Sequence, residues 1–122
     1  MKDSISEQIQ NNLDCEDILN CLFNLNELDK KCYEILQEHN ESLTVKQIAN
    51  LLDRDQSTIN RAISNLEEAS LITKEKETYS KGGYSYIYSV RNSSDISNDM
   101  REIVQEWNNM VENVIDEFEE KY

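Results

Sequence analysis

The placement of proline and glycine is the strongest constraint on how this chain folds. Its 122 residues include no proline, and the only two glycines are adjacent, at Gly82-Gly83. Because proline and glycine are the residues that most often break helices and mark sharp turns, long helices can run here without interruption. The sequence therefore predicts a mainly helical protein with one sharp turn, at the glycine pair.

Composition bounds the class of protein. Hydrophobic residues make up 38% of the chain and recur in patterned groups, which favours one compact domain over a disordered acidic chain. No run approaches the roughly 18 apolar residues that cross a bilayer. The polar start at Met1 to Ser4 also lacks the layout of a secretory signal. We expect a cytoplasmic protein without a membrane partner.

The net charge of −13 argues at first against a nucleic-acid partner, because phosphate binding needs clustered lysine and arginine. The charge is unevenly distributed, however. Residues 1–40 hold 3 basic and 9 acidic side chains, residues 41–91 hold 7 and 7, and residues 92–122 hold 2 and 9. The middle segment is neutral and carries more than half of the basic residues, so its partner can differ from those of the ends.

Apolar spacing predicts helices in the first half of the chain. Residues 5–23 form one helix or two short ones, and a clearer helix runs over residues 27–39 with Asn26 as its N-cap. Thr44 lies three residues before Gln47, which is the capping-box pattern at the start of a short helix.

A further helix is predicted after Asp53-Arg54-Asp55. Two short helices joined by about three residues indicate a helix-turn-helix unit. Ala49 is small enough for the two helices to cross closely. The apolar residues expected to fix the crossing angle are Ile48, Leu52, Ile59, Ile63 and Leu66.

Beyond Leu71 the apolar period changes to two on both sides of residues 80–83, which predicts a β-hairpin. Ser93 or Ser94 is the expected cap of a final helix of about 27 residues, ending near Tyr122 and about 40 Å long.

The predicted fold is therefore mainly α with a small β-hairpin wing: a winged helix-turn-helix with a long C-terminal dimerisation helix. We divide the chain into an N-terminal helical segment for packing or dimerisation (1–25), the DNA-binding winged unit (26–91) and the C-terminal dimerisation helix (92–122).

Four stretches of the sequence carry a family resemblance: Leu22–Asp29 with Cys32–Leu36, Leu43–Ala49, Gln56–Glu67 and Leu71-Ile72. Together they resemble the winged-helix regulators of archaea, above all the TrmB-like family and more distantly the MarR group. The resemblance covers roughly Cys21 to Val90 and implies a DNA-binding transcription regulator.

Two features depart from the family pattern. Asp53 stands where such turns usually have glycine, which leaves room for a distorted turn. Full-length family members carry a separate sugar-binding domain, whereas this chain ends after one long helix, so we do not extend the resemblance to a sugar effector.

The expected DNA contacts follow from the inward apolar side of the recognition helix and from the wing. Arg61 can read guanine, and Asn60 or Gln56 can read adenine, while Lys81 beside the two glycines would contact phosphate. The complete expected set is Arg54, Gln56, Ser57, Thr58, Asn60, Arg61, Ser64, Lys74, Lys76, Lys81, Gly82 and Gly83.

The final helix predicts a dimer, because its apolar face is too wide for one small winged unit to cover. The expected interface comprises Met100, Ile103, Val104, Trp107, Met110, Val111, Val114, Ile115 and Phe118. A two-fold dimer predicts a near-palindromic site with half-sites about one helical turn apart. The alternative is that this helix folds back on its own domain together with residues 5–23.

Other residue types give less specific signals. Cys15, Cys21 and Cys32 form no metal-binding pattern, so core packing is the simpler reading and redox sensing the alternative. His39 is expected to satisfy carbonyls at a helix end. The alternating tyrosines, Tyr84, Tyr86 and Tyr88, favour a half-buried sheet face over stacking on bases. We expect no cofactor, metal site or catalytic residue.

The sequence thus predicts a homodimeric regulator that binds specific double-stranded DNA, represses by occluding a promoter and is not an enzyme. The alternative is a winged-helix adaptor that binds protein and no specific DNA, since one fold serves many functions. An unknown small-molecule effector, bound between the dimer helices and the winged domain, is left open.

Overall fold

A computed structural model of the chain describes residues 5–7 and 14–122. Residues 5–7 are helical. The elements that follow are α1 (Cys15–Phe23), α2 (Glu27–His39), α3 (Val45–Leu52), α4 (Gln56–Glu68), β1 (Ile72–Thr78), β2 (Tyr84–Val90) and α5 (Ser93–Lys121). This order confirms the mainly α fold with a hairpin wing and a long final helix. Whether the N-terminal segment is one helix or two depends on residues 8–13, which lie outside the described residues.

Side-chain caps fix the starts of the first two helices of the winged unit. The Asn26 side chain accepts the Asp29 backbone N–H at 2.8 Å, and the Asp29 carboxylate accepts the Asn26 N–H at 3.1 Å. Thr44 and Gln47 make the same reciprocal pair at 3.1 and 2.8 Å. Both predicted N-caps are confirmed, and each satisfies amides that a helix start otherwise leaves without partners.

The turn between α3 and α4 is regular although it has aspartate where glycine is usual. Asp53 adopts the left-handed conformation with φ 54°. Its own N–H donates to the Asn50 carbonyl at 3.4 Å, and the Arg54 N–H donates to the Ala49 carbonyl at 3.0 Å. These are the two bonds of a Schellman motif. The distortion that the sequence left open is therefore absent from this turn.

The core of the winged unit forms around one side of α4. Ile59, Ile63 and Leu66 are at most 1% exposed. They pack where α4 meets α2, α3 and β1. Leu43, just before α3, pairs with Tyr88 of β2 through backbone hydrogen bonds of 2.9 and 2.8 Å. This bridge fixes the hairpin beside the two helices.

A buried carboxylate joins the opening helix to α4. Asp29 is 2% exposed, and the Asn65 side-chain amide donates to both of its oxygens at 3.2 Å. The same carboxylate caps the start of α2 through the Asn26 N–H. A buried charge is costly unless it is hydrogen-bonded, so these donors make the burial tolerable and fix the position of α4.

The chain divides into two compact units, residues 1–90 and residues 91–122. The second unit is α5, whose 29 residues extend about 44 Å at 1.5 Å per residue. Its N-cap is Asn92, whose side chain accepts the Ser94 N–H at 2.8 Å. The predicted caps Ser93 and Ser94 were therefore wrong: asparagine caps as well as serine, and both serines lie inside the helix.

We predict that Asp29→Ala lowers the free energy of unfolding by about 1–3 kcal/mol, because it removes a helix cap and leaves the Asn65 amide without its acceptor. Glu34→Ala, which removes an exposed carboxylate from the same helix, is the control and should cost less than about 0.5 kcal/mol. Urea denaturation followed by circular dichroism measures both. Equal effects of the two substitutions would contradict the role given to Asp29.

Candidate nucleic-acid interface

The outer side of α4 carries the polar residues that the sequence assigned to base recognition. Since Ile59, Ala62, Ile63 and Leu66 face the core, the helix turns its other side to solvent. The exposed residues there include Gln56, Ser57, Asn60, Arg61 and Ser64, whereas Thr58 is half-buried. Side chains of these types can donate to or accept from base edges in a major groove.

An aspartate occupies the N-terminal end of α4. The Asp55 carboxylate accepts the Thr58 N–H at 3.3 Å, the Thr58 hydroxyl at 2.6 Å and the Ser57 hydroxyl. These bonds, led by the one from Ser57, lower the pKa of Asp55 to about 2. The carboxylate is therefore charged at any pH above about 4 and holds the hydroxyl protons of Ser57 and Thr58. These two predicted contact residues remain able to accept hydrogen bonds.

The hairpin has two chemically different faces. Pairing is antiparallel, with Lys74 opposite Tyr88 and Lys76 opposite Tyr86, while Glu75 lies opposite Ile87. Because directly opposed residues lie on the same side of a sheet and successive ones alternate, the two lysines share a face with the three tyrosines. We call this the lysine–tyrosine face; its members are Lys74, Lys76, Tyr84, Tyr86 and Tyr88. Glu75 and Glu77 lie on the opposite face.

The lysine–tyrosine face is buried at its base and exposed toward the turn. Tyr88 is 5% exposed, whereas Tyr86 and Tyr84 are 39% and 53% exposed. The prediction of a half-buried sheet face therefore holds at Tyr88 and was wrong at Tyr84 and Tyr86, because these two residues lie toward the turn, beyond the helices that cover Tyr88. The Lys74 ammonium lies 4.1 Å from the centre of the Tyr86 ring, and the Lys76 ammonium lies 4.1 Å from that of Tyr84.

The tip of the wing combines a cation with open backbone. Lys81 is exposed, and Gly82 and Gly83 have φ of 95° and 85°, which favours glycine at both positions. A Cβ atom built at Gly82 would meet nothing within 4 Å, so the backbone there is accessible. The turn is closed by the Tyr79 N–H, which donates to the Gly83 carbonyl at 3.0 Å. Lys81 and the two glycines, for which the sequence predicts a phosphate contact, thus form an exposed tip.

A shallow cleft of about 230 Å³ lies between α4 and the wing. It is lined by Thr44, Val45, Lys46, Gln56, Asn60, Ser85, Tyr86 and Tyr88. Two predicted contact residues, Gln56 and Asn60, therefore share one surface with a lysine that sequence reasoning missed. The signal available for Lys46 was its place in the neutral middle segment, which holds more than half of the basic residues. Its spacing does not reveal that the start of α3 approaches α4 and β2.

Arg54 is exposed in the turn between α3 and α4, and it lies between Asp53 and Asp55. Both neighbours are exposed acids, so the turn as a whole has a net negative charge. Arg54 thus lies at the N-terminal end of α4, near Gln56, but two acidic neighbours make its surroundings less basic than those of Lys74 and Lys76.

The cysteines and His39, for which the sequence predicts packing or a role at a helix end, lie on α1 and α2 and not on the outer side of α4. Cys32 is fully buried, and burial together with the nearby Asp29 charge raises the pKa of its thiol to about 11. Cys21 is exposed, so the prediction of core packing was wrong at this position, because Cys21 lies on the outer side of α1. The side chain of Cys15 lies outside the described part of the chain. His39 Nδ1 lies 3.0 Å from the Ile35 carbonyl, at the end of α2. Its position matches the predicted role at a helix end.

The described residues include neither a metal-binding cluster nor a membrane-spanning helix. In residues 5–7 and 14–122, no three or more histidine, cysteine, aspartate or glutamate side chains are grouped so that they could hold a metal ion. Over the same residues, no helix is both long and apolar enough to span a membrane.

Comparison with known proteins places the fold in a family. The family described as "Sugar-specific transcriptional regulator TrmB" matches residues 19–92, which is more than half of the chain. The chain belongs to the TrmB family. The match covers all of α2 through β2, and hence the whole lysine–tyrosine face and all of α4.

Relatives of this TrmB-family protein are found in archaea. An uncharacterized protein of Methanocaldococcus jannaschii is 32% identical over 92 residues, which are 75% of each chain. The solved structure titled "Possible transcriptional regulator from Methanosarcina mazei Go1" is 25% identical, covers 88% of this chain and 90% of its own, and superposes with a TM-score of 0.77. These relatives fit the archaeal regulator family that the sequence indicated.

A solved complex of S. aureus MepR with DNA shares the fold at 19% identity, with a TM-score of 0.55 over 97% of this chain and 95% of that one. Family and fold together identify a winged-helix transcriptional regulator of a DNA-binding class. The word sugar in this description refers to the family, and we do not infer from it that this chain binds a sugar.

We predict that Asp55→Asn tightens binding to duplex DNA by about 2- to 5-fold at low salt. Asparagine still caps the helix, while a negative charge at the helix N-terminus is lost. Glu75→Gln makes the same change of charge on the opposite hairpin face and should leave affinity unchanged. Fluorescence anisotropy with a labelled duplex measures the affinity of both variants. If Glu75→Gln bound DNA more tightly and Asp55→Asn bound it as wild type does, the N-terminal end of α4 would not lie near DNA.

Proposed function

We propose that this protein is a homodimeric, sequence-specific regulator that binds double-stranded DNA and represses transcription by occluding a promoter. The observation that carries the proposal is the outer side of α4, where Gln56, Asn60 and Arg61 are exposed together beside the wing. A helix with such side chains on its free side can read a major groove.

Charge distribution supports one mode of approach. The chain has a net charge of −13, so random encounter with DNA is unfavourable at long range. Lys74 and Lys76 nevertheless share the hairpin face whose Tyr86 and Tyr88 line the cleft beside α4, and Lys46 of α3 lines the same cleft. Glu75 and Glu77 lie on the opposite face of the hairpin. Binding with α4 in the groove places the lysines near phosphate and keeps the glutamates away. Weak non-specific affinity and a strong orientation requirement follow.

The apolar face of α5 supports the homodimer. At 100° per residue, the nine apolar side chains assigned to the interface span an arc of about 140°. Six of them are exposed: Val104, Trp107, Met110, Val114, Ile115 and Phe118. The other three, Met100, Ile103 and Val111, are half-exposed. An apolar row of this length, four to five helical turns, is typical of a protein interface, and an identical helix covers it with matching length and period.

Selection from random DNA duplexes tests the proposed function. We expect enrichment of an inverted repeat with half-site centres about 10–10.5 base pairs apart, because a two-fold dimer presents two recognition helices to successive major grooves. A gel shift of the selected duplex at moderate salt confirms binding. Failure to enrich any sequence would contradict DNA recognition and favour the protein-binding adaptor. Increased transcription in vitro from a promoter carrying the site would contradict repression.

Two single substitutions separate base reading from phosphate binding. Arg61→Ala should cost about 1–3 kcal/mol on the selected site and relax preference at one base pair, since arginine reads guanine with two hydrogen bonds. Lys81→Ala should weaken binding to all duplexes alike. It should also reduce by about 1 the salt slope, which is the slope of the logarithm of the binding constant against the logarithm of the salt concentration. Binding measured over a salt series on matched and mismatched duplexes distinguishes them. Identical behaviour of the two variants would contradict the assigned roles.

The dimer is tested by charge insertion on α5. Trp107→Glu places a charge near the centre of the apolar arc and should yield monomers, whereas Asn109→Glu adds the same charge on the opposite side of the helix and should not. Analytical ultracentrifugation reports the mass, with 14.3 kDa for one chain and twice that for the dimer. A wild-type protein that sediments as a monomer at high concentration would contradict the proposal.

A further inference from the structure

The lysines and tyrosines of the wing form an ordered ladder on its surface. Each lysine lies over the ring of the tyrosine diagonally across from it and nearer the turn, Lys74 over Tyr86 and Lys76 over Tyr84, both at 4.1 Å. The two rings meet edge to face, with centroids 5.5 Å apart and planes at 71°. Four side chains that are each exposed to solvent are thus held by one another rather than by the core.

Such an arrangement changes what an exposed lysine can do. A free lysine has a flexible four-carbon stem and loses side-chain entropy when it is immobilised on a ligand. A cation over an aromatic ring is held there by the ring quadrupole, while its ammonium still has three N–H donors. A lysine held in this way can donate to an anion and has already lost part of its conformational freedom.

We propose that Tyr84 and Tyr86 are positioning residues for DNA binding, holding the Lys76 and Lys74 ammonium groups in place for two successive phosphates of one DNA strand. The inference rests on the proposed function. Lys74 and Lys76 are two residues apart on one strand, so their Cα atoms lie about 7 Å apart. The two rings over which their ammonium groups lie have centroids 5.5 Å apart. Both spacings suit neighbouring phosphates of one DNA strand. Both lysines lie on the hairpin face whose Tyr86 and Tyr88 line the cleft beside α4.

The geometry also favours positioning over direct stacking of bases on the tyrosines. One face of each exposed ring is occupied by an ammonium group at 4.1 Å, and the edge of one ring is directed at the other. A base that stacked on the occupied face would have to displace the lysine, and its ammonium group would then no longer be held in position to contact a phosphate.

The ladder itself is tested on the free protein by nuclear magnetic resonance. Ring currents should shift the Lys74 Hε protons upfield of their random-coil position, and the shift should be retained in Tyr86→Phe and lost in Tyr86→Leu. The same pattern is expected for Lys76 with Tyr84→Phe and Tyr84→Leu. Random-coil Hε shifts in the wild-type protein would overturn the proposal, whatever the protein binds.

The effect on binding is measured with the duplex obtained by selection. Tyr86→Leu should weaken binding about 2- to 10-fold with an unaltered salt slope, because the lysine charge remains but its order is lost. Tyr86→Phe should bind within 2-fold of wild type. Lys74→Met should reduce the salt slope by about 1, and its loss of affinity should be smaller in the Tyr86→Leu background. Thermal melting verifies that each variant is folded, and Tyr84→Leu repeats the test at the more exposed ring.

The outcomes separate this inference from the function on which it rests. If wild type binds no duplex, the proposed function fails and the inference fails with it. If wild type binds and Tyr86→Leu and Tyr84→Leu bind equally well, only the positioning role is overturned. If Tyr86→Phe loses as much affinity as Tyr86→Leu, the hydroxyl group contacts DNA directly and the positioning role is again overturned.

Discussion

The burial of one side of α4 is the constraint on which the candidate interface depends. Ile59, Ile63 and Leu66 are withdrawn from solvent where three other elements meet, so the helix can neither rotate nor slide without exposing them. The hydrogen bonds from Asn65 to the buried Asp29 carboxylate add a directional link to the same helix. Because the inner side is fixed in this way, the outer side presents Arg61 and its neighbours in a defined orientation. Base reading requires that orientation, since a bidentate contact tolerates little displacement.

The hairpin explains how so acidic a chain can approach DNA. Its lysines and glutamates alternate along β1 and are therefore sorted onto opposite faces, with the lysines on the face that adjoins α4. With two lysines and two glutamates, β1 is neutral in sum, but its two faces carry charges of opposite sign. Asp55 opposes this arrangement, because it places a permanent negative charge at the N-terminus of α4 while it holds the hydroxyl groups of Ser57 and Thr58. The capping of the helix and the attraction of phosphate are thus in partial conflict.

Local signals made much of this fold predictable from the sequence. The N-caps at Asn26 and Thr44, the three-residue turn and the glycine pair each act within a few residues, so they can be recognised without knowledge of the fold. The cap of α5 was misplaced by one or two residues, since Asn92 and the following serines are all good N-caps and local chemistry does not rank them.

Contacts between distant segments could not be predicted. Asn65 and Asp29 are 36 residues apart, and neither residue type signals the other. Lys46 shares the cleft with Asn60 only because the Leu43–Tyr88 bridge fixes the hairpin beside the start of α3. The Lys74–Tyr86 and Lys76–Tyr84 pairs depend on the strand register. The alternation of period two shows which residues share a face, but a shift of the pairing by two residues would preserve it. The register is set by the turn.

We propose that α4 and the lysine–tyrosine face together contact DNA, whereas the opposite hairpin face does not. Titration of isotope-labelled protein with a selected duplex, followed by amide and lysine side-chain resonances, tests this most directly. We expect the largest shift changes at Asn60, Arg61 and Lys74 and only small ones at Glu75 and Glu77. Shift changes centred on the two glutamates, or absent from α4, would contradict it.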